Sequence, residues 1–271
     1  MFTRVMVAVV CLPIVFIIFF CLPPVFVAVM VSVLSMVALH EVLWSTGFVK
    51  NPLVSGLSIL LSGVIPFWVY LGEGIDAALA GIFTYFVIMF CIAISSHYTV
   101  TLEKMGGSFF FAMLIPYFLS SFVRLNAMEL GKYLIVIPLV AAYCSDAFAL
   151  FAGMAFGKHK LAPALSPKKT VEGAVGGFVA AVVGCLLYGV LMEFGFRLRV
   201  SYLRFALYGA LGSAVSQLGD LSFSYIKRQY GLKDFGNIFP GHGGVLDRFD
   251  SVIFCAPLIE ILVRVLPALG G

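Results

Sequence analysis

Charge is what this chain has least of. Asp, Glu, Lys and Arg make up 11% of its 271 residues, where a soluble domain carries about 25%. No polar stretch is long enough to build a second, water-soluble domain, so residues 1–271 read as one membrane domain. Cysteine is confined to Cys11, Cys21, Cys91, Cys144, Cys185 and Cys255, none of them in CxxC spacing. That argues against thiolate zinc sites and a disulfide framework, and the six read as small buried apolar residues. Internal repeats, common in transporters, are not apparent. The run after Arg4 lacks a small-residue cleavage site and further apolar runs follow at once, so it reads as a first span and not as a signal peptide.

What is abundant is apolar: 62% of the residues are hydrophobic. A membrane span needs about 20 such residues in a row. Nine stretches qualify: Val5–Leu22, Pro24–Trp44, Leu53–Leu71, Ile75–Ile94, Gly107–Val123, Lys132–Gly153, Val171–Phe194, Tyr202–Ile226 and Asp250–Pro267. The expected fold is therefore all-α, a polytopic integral membrane protein of about nine transmembrane helices. Pro23 and Pro24 leave almost no loop between the first two. Pro13, Pro66, Pro116, Pro138 and Pro257 fall inside stretches, where each removes a backbone donor. Of the 17 Lys and Arg residues, 11 fall in connections on the side of the N-terminus. The positive-inside rule then places the N-terminus in the cytoplasm and the C-terminus outside, as expected of a cell (inner) membrane protein.

Several polar residues have bland readings. Gly173 with Gly177, and Gly209 with Ser213, suit close helix packing; a homodimer is left open. Glu260 and Arg264, four apart, suit an intrahelical ion pair. His40, Glu41, His97, Glu103 and Glu129 fall at span ends, where anchoring at the interface is the default.

One stretch breaks the apolar pattern. Ser224–Asp250 holds Lys227, Arg228, Lys233, Asp234, His242, Asp247, Arg248 and Asp250, together with Gly231, Gly236, Gly241, Gly243 and Gly244. Two more acids lie inside spans, Asp146 in AAYCSDAF and Asp220 in SQLGDLSF, where ionisable groups are costly and are functional candidates. On the expected topology Asp220 lies about 10 Å and Asp146 about 10–15 Å from the cytoplasmic helix ends. Asp247 and Asp250 open the last span on that side. Carboxylates flanked by Lys and Arg suit magnesium bridging to phosphate oxygens, with the basic groups neutralising the rest. Glycine amides at Gly241, Gly243 and Gly244 would form an anion nest. Ser166-Pro167 reads as an N-cap followed by Pro at the first helical position, which would set Lys168 and Lys169 at a helix N-terminus fit for phosphate. Basic loops that only fix topology or hold anionic lipid headgroups, and buried acids that carry ions through a transporter, are the competing readings.

These residues also carry a resemblance. Ser224-x-Ile226-Lys227-Arg228, then Lys233-Asp234-x-Gly236, then Phe239-Pro240-x-His242-Gly243-Gly244-Val245-x-Asp247-Arg248-Phe249-Asp250 resembles the signature of the phosphatidate cytidylyltransferase (CDP-diacylglycerol synthase) family. The block from Asp146 through Gly157-Lys158-His159-Lys160 to Ser166-Pro167-Lys168-Lys169-Thr170-Val171-Glu172-Gly173 is similar to that family's other characteristic stretch. The likeness covers the C-terminal half, so 141–271 is the expected catalytic part and 1–140 a less characteristic helical part. It implies transfer of the cytidylyl group of CTP to phosphatidic acid in the bilayer, with magnesium, a second cation beside it, and no nucleic acid. Asp220 and Asp247 become the first candidates for metal ligands, with Asp146 and Asp250 in the same centre. Lys168, Lys169, Lys227, Arg228, Lys233 and Arg248 are expected on phosphates, with Ser166, Gly243 and Gly244 beside them, and His242 on phosphate or ordering the glycine turn. Asp220, Asp247, Lys227, Arg228 and Arg248 are the catalytic set. A CTP-dependent lipid-alcohol kinase, and less so an ion-coupled transporter, are the alternatives.

Overall fold

The computed structural model describes residues 13–49, 51–72, 75–97, 99–236 and 243–270. It is almost wholly helical. The first helix, α1, is helical over residues 13–20, and Pro24 then starts α2 (Val25–Ser45) after a break of four residues. There follow α3 (Pro52–Leu71), α4 (Ile75–Ser95), α5 (Leu102–Leu119), α6 (Ser121–Asn126), α7 (Gly131–Leu134) and α8 (Ile137–Phe156). A short hairpin, β1 (Lys160–Ala162) and β2 (Ser166–Thr170), leads into α9 (Val171–Phe196). Then come β3 (Arg199–Val200), α10 (Tyr202–Gln229), α11 (Leu246–Val265) and β4 (Leu269–Gly270).

Among the described residues, six helical segments are long and apolar enough to cross a membrane: Val25–Ser45, Pro52–Leu71, Ala77–Ser95, Leu102–Asn126, Gly131–Phe156 and Val171–Phe196. The protein is an all-α, multi-pass membrane protein. Helices α10 and α11 have the length of a span but carry Asp220, Lys227 and Arg228, and Asp247, Arg248 and Asp250. At 28 residues α10 runs about 42 Å, longer than the roughly 30 Å hydrocarbon layer. The five described cysteines, Cys21, Cys91, Cys144, Cys185 and Cys255, are free thiols.

The chain forms two compact units: residues 1–127 with 232–248, and residues 128–231 with 249–271. In the first, α2 packs on α3 and α5, and α3 also meets α4 and α6. Asn51 caps α3, its side chain accepting from Leu53 N at 2.9 Å with Pro52 at the first helical position, as an N-cap followed by Pro requires. The Ser120 amide and hydroxyl both donate to the Pro116 carbonyl, at 2.8 and 2.6 Å. Such back-bonding bends helices, and here α5 gives way to α6.

In the second unit, α8, α9 and α10 form a tight layer. Small residues make it possible. A Cβ on Gly177 would lie 2.5 Å from the Ser145 carbonyl oxygen, and one on Gly209 would lie 2.6 Å from the Ala181 carbonyl oxygen. These stripes pack helices within the chain. Ser145 and Ser213 hydroxyls meet at 2.7 Å, and Gln217 Nε2 donates to Ser213 Oγ at 3.1 Å and the Ala174 carbonyl at 3.0 Å. Arg264 Nε donates to Glu260 Oε1 at 3.0 Å, the ion pair expected from the spacing.

The start of α9 corrects one expectation. Ser166 is not an N-cap, and Pro167, Lys168 and Lys169 are not in a helix; all four lie in strand β2, paired antiparallel with β1. The cap is Thr170, whose Oγ1 accepts from Gly173 N at 3.1 Å. Local sequence favours a helix at Ser-Pro, but pairing of Lys160 with Thr170 and Ala162 with Ser166 holds the segment extended.

Candidate active site

In the second unit, three carboxylates arise from three helices. Asp146 lies in α8, Asp220 in α10 and Asp250 in α11. What brings two of them together is Gly219. A Cβ there would stand 2.8 Å from both the Asp250 carbonyl oxygen and the Phe254 Cβ, so only glycine lets α11 approach α10 so closely at this level. The side chains of Asp146, Asp220 and Asp250 are near enough for each to act on the others' charge. The Ser251 amide donates to Asp250 Oδ1 at 2.8 Å and its hydroxyl stands 3.5 Å from the same oxygen. Ser224 Oγ donates to Asp220 Oδ1 at 3.4 Å.

Two ammonium groups enter the same cluster. Lys169, from strand β2, pairs with Asp220 Oδ2. Lys227 Nζ stands 3.8 Å from Asp250 Oδ2, and both residues are buried, at 8% and 9% exposure. Burying charges is tolerable when they are paired. The hairpin that delivers Lys169 is itself tied down. Glu172 accepts from the amides of Lys158 at 3.1 Å and His159 at 3.2 Å and meets His159 Nδ1 at 2.6 Å, and Arg228 Nε donates to the Leu165 carbonyl at 3.1 Å. Lys168 points the other way on the strand and is exposed, and Ser166 is half-buried.

The remaining candidates lie in the first unit. Lys233 is exposed in the loop after α10, Gly243 and Gly244 form the turn before α11, and Asp247 and Arg248 sit in its first turn. Gly243 has φ +84°, a left-handed conformation that favours glycine. Asp247 Oδ2 accepts from Phe235 N at 2.8 Å and Gly244 N at 3.0 Å. The Gly244 amide, expected in an anion nest, thus donates to the chain's own carboxylate. His242, with Gly241, lies outside the described residues.

Sequence reasoning missed Glu41. It was expected to anchor at the interface, yet it is 4% exposed and accepts from Val245 N at 2.9 Å and Leu246 N at 2.8 Å. A glutamate inside an apolar stretch was the only available signal.

The donor set is of the oxygen type that hard divalent cations take. Among the described residues no three His, Cys, Asp or Glu side chains close into a ready ligand cage, whereas a structural zinc site would present four. Magnesium takes one or two carboxylates and completes its shell with water and substrate oxygens. The all-oxygen cluster of Asp146, Asp220 and Asp250 fits that requirement.

Fold and site together define an all-α membrane protein with an acid-and-base centre set into its helices. The chain belongs to the cytidylyltransferase family, whose model matches residues 2–266. It is similar to the phosphatidate cytidylyltransferase of Bacillus subtilis strain 168, 32% identical over 243 residues that cover 87% of each chain. The phosphatidate cytidylyltransferase of Mycobacterium bovis is 31% identical over 261 residues, 90% of this chain and 82% of its own. That of Staphylococcus saprophyticus is 41% identical over 133 residues, about half of each chain (49% and 50%). The chain is thus an enzyme of the nucleotidyltransferase type, and the resemblance carried by its C-terminal half extends over nearly its whole length.

Proposed function

We propose that this enzyme transfers the cytidylyl group of CTP to phosphatidic acid, giving CDP-diacylglycerol and pyrophosphate, from the cytoplasmic side of the cell membrane. The observation that carries the proposal is the cluster of Asp146, Asp220 and Asp250 with Lys169 and Lys227, in a chain whose relatives carry that activity in their names. A phosphate oxygen of the lipid attacks the α-phosphorus of CTP. The bond from that phosphorus to the bridging oxygen breaks, and pyrophosphate leaves with the electron pair. A phosphate monoester has its second pKa near ~6 and is already largely deprotonated at neutral pH. No general base is needed, so catalysis rests on positioning and charge neutralisation.

Lys169 and Lys227 are the groups to meet developing negative charge, since each is already seated by a carboxylate. Lys168 and Lys233, both exposed, would draw the triphosphate in, and Arg228 and Arg248 would hold phosphate oxygens in forked geometry. Magnesium would be held by one or two of Asp146, Asp220 and Asp250, with Asp247 a further candidate. Bound there, the ion supplies positive charge shared among phosphate oxygens.

The test is direct. Purified protein is given labelled CTP and phosphatidate, with and without magnesium, and lipid products are separated from free nucleotide. CDP-lipid and pyrophosphate, formed only with magnesium, are expected. Phosphorylated lipid with CDP released would replace the reading by a lipid kinase, and turnover unchanged by chelator would remove the metal from it.

A further inference from the structure

Glu41 belongs to the half of the chain that carries no motif, yet it is built into the glycine loop. Both its oxygens are engaged: Oε1 accepts from Val245 N and Oε2 from Leu246 N. These amides stand at the start of α11, where a helix leaves its first N–H groups without internal partners and where negative charge is favoured. An ordinary N-cap comes from the adjoining residue. This one comes from a different helix, 204 residues earlier in the chain.

The loop is shaped round it. A Cβ on Gly236 would lie 2.5 Å from Glu41 Oε1, and a Cβ on Gly244 would lie 2.4 Å from both oxygens. A side chain on either flank would therefore push the carboxylate off the amides it accepts from. Beside it Asp247 Oδ2 joins the amides of Phe235 and Gly244. The loop is therefore tied at Phe235–Gly236, within the stretch that follows α10, and again at Gly243–Leu246, where it enters α11.

We infer that Glu41 is a positioning residue for the cytidylyl transfer proposed above, on which this inference rests. It sets the starting point of α11 and with it the placement of Asp247 and Arg248 in the first turn of that helix. It does not itself touch substrate. With the carboxylate seated there, the amides of Val245 and Leu246 are not offered to a substrate phosphate, and phosphate binding falls to side chains.

The experiment uses the full-length protein in detergent or lipid nanodiscs, as Glu41→Gln and Glu41→Asp. Hydrogen exchange is followed at Val245 and Leu246, together with kcat, KM for CTP and the magnesium concentration for half-maximal rate. Glu41→Gln replaces one acceptor by a donor that faces an amide. It is expected to speed exchange at the start of α11, leave exchange in α8 and α9 unchanged, and lower kcat about 10–100-fold with KM changed less than about threefold. Glu41→Asp should recover part of the rate. Wild-type kcat despite faster local exchange overturns the inference. So does a lower kcat accompanied by faster exchange throughout, which marks general destabilisation. A magnesium requirement raised with exchange unchanged makes Glu41 a ligand and likewise overturns it. If the unsubstituted protein does not use phosphatidate, the preceding reading fails, while the exchange measurement still decides whether Glu41 orders the loop.

Discussion

Individual side chains here fall into those that hold structure and those free to meet a ligand, and the aspartates show the difference. Asp247 Oδ2 is bound to two backbone amides, so its carboxylate organises the turn before α11 whatever else it does. Asp247→Asn is expected to lower turnover at least about 100-fold. A magnesium titration separates the causes: a raised requirement marks direct ligation, and an unchanged requirement with faster exchange of the Phe235 and Gly244 amides marks loss of the tie. The two lysines of β2 make a second contrast. Lys169 pairs with Asp220 while its neighbour Lys168 is exposed on the opposite face of the strand. Lys169→Ala should lower kcat/KM on the order of 100-fold, and Lys168→Ala by about tenfold at most, acting through KM for CTP. Equal effects of the two, measured by steady-state kinetics, would contradict the pairing as a functional contact.

At the scale of elements, glycines decide what can come together. Gly209 and Gly219 lie in the same helix and each would drive a Cβ against backbone, Gly209 toward Ala181 and Val182 and Gly219 toward Asp250. Either substitution to Ala should lower the melting temperature in detergent. Only Gly219→Ala should also reduce the activity of the molecules that remain folded, because it displaces α11 beside Asp220. Thr170→Ala should cost about 1 kcal/mol through loss of the α9 cap, seen in the same melting assay. The elements themselves were largely legible, since a span declares itself through local composition: the stretch Pro24–Trp44 became α2 at Val25–Ser45, and Tyr202–Ile226 became α10 at Tyr202–Gln229. The start of α9 was not legible. Ser166-Pro167 has the local signature of a helix start, and what overrides it is strand pairing with residues on the far side of a turn, which no local pattern announces.

For the whole molecule, the proposed orientation of the charged centre rests on where Lys and Arg fall. A reporter fused after Gly271 is expected to read as non-cytoplasmic, and a cytoplasmic signal would reverse the proposed orientation or change the number of crossings. The sequence also suggested a division of labour, with a motif-bearing C-terminal half and an undistinguished N-terminal one. Asp146, Asp220 and Lys227 stand out in sequence because each is a charge in an apolar run or a basic cluster. Glu41 looked like one more interface residue because its partners are far away in the chain, and distance in sequence hides exactly this kind of contact.

That tie has a consequence for how the family can vary. Gly236 and Gly244 leave no space for a side chain while a glutamate occupies position 41, and a shorter residue at 41 would relax that demand. Across related chains the three positions should therefore change together or not at all, giving a covariation signal between the second helix and the turn before the last one. The same logic limits recombination: a hybrid joining the first 127 residues of one relative to the remainder of another should keep its rate only where both parents agree at these three places.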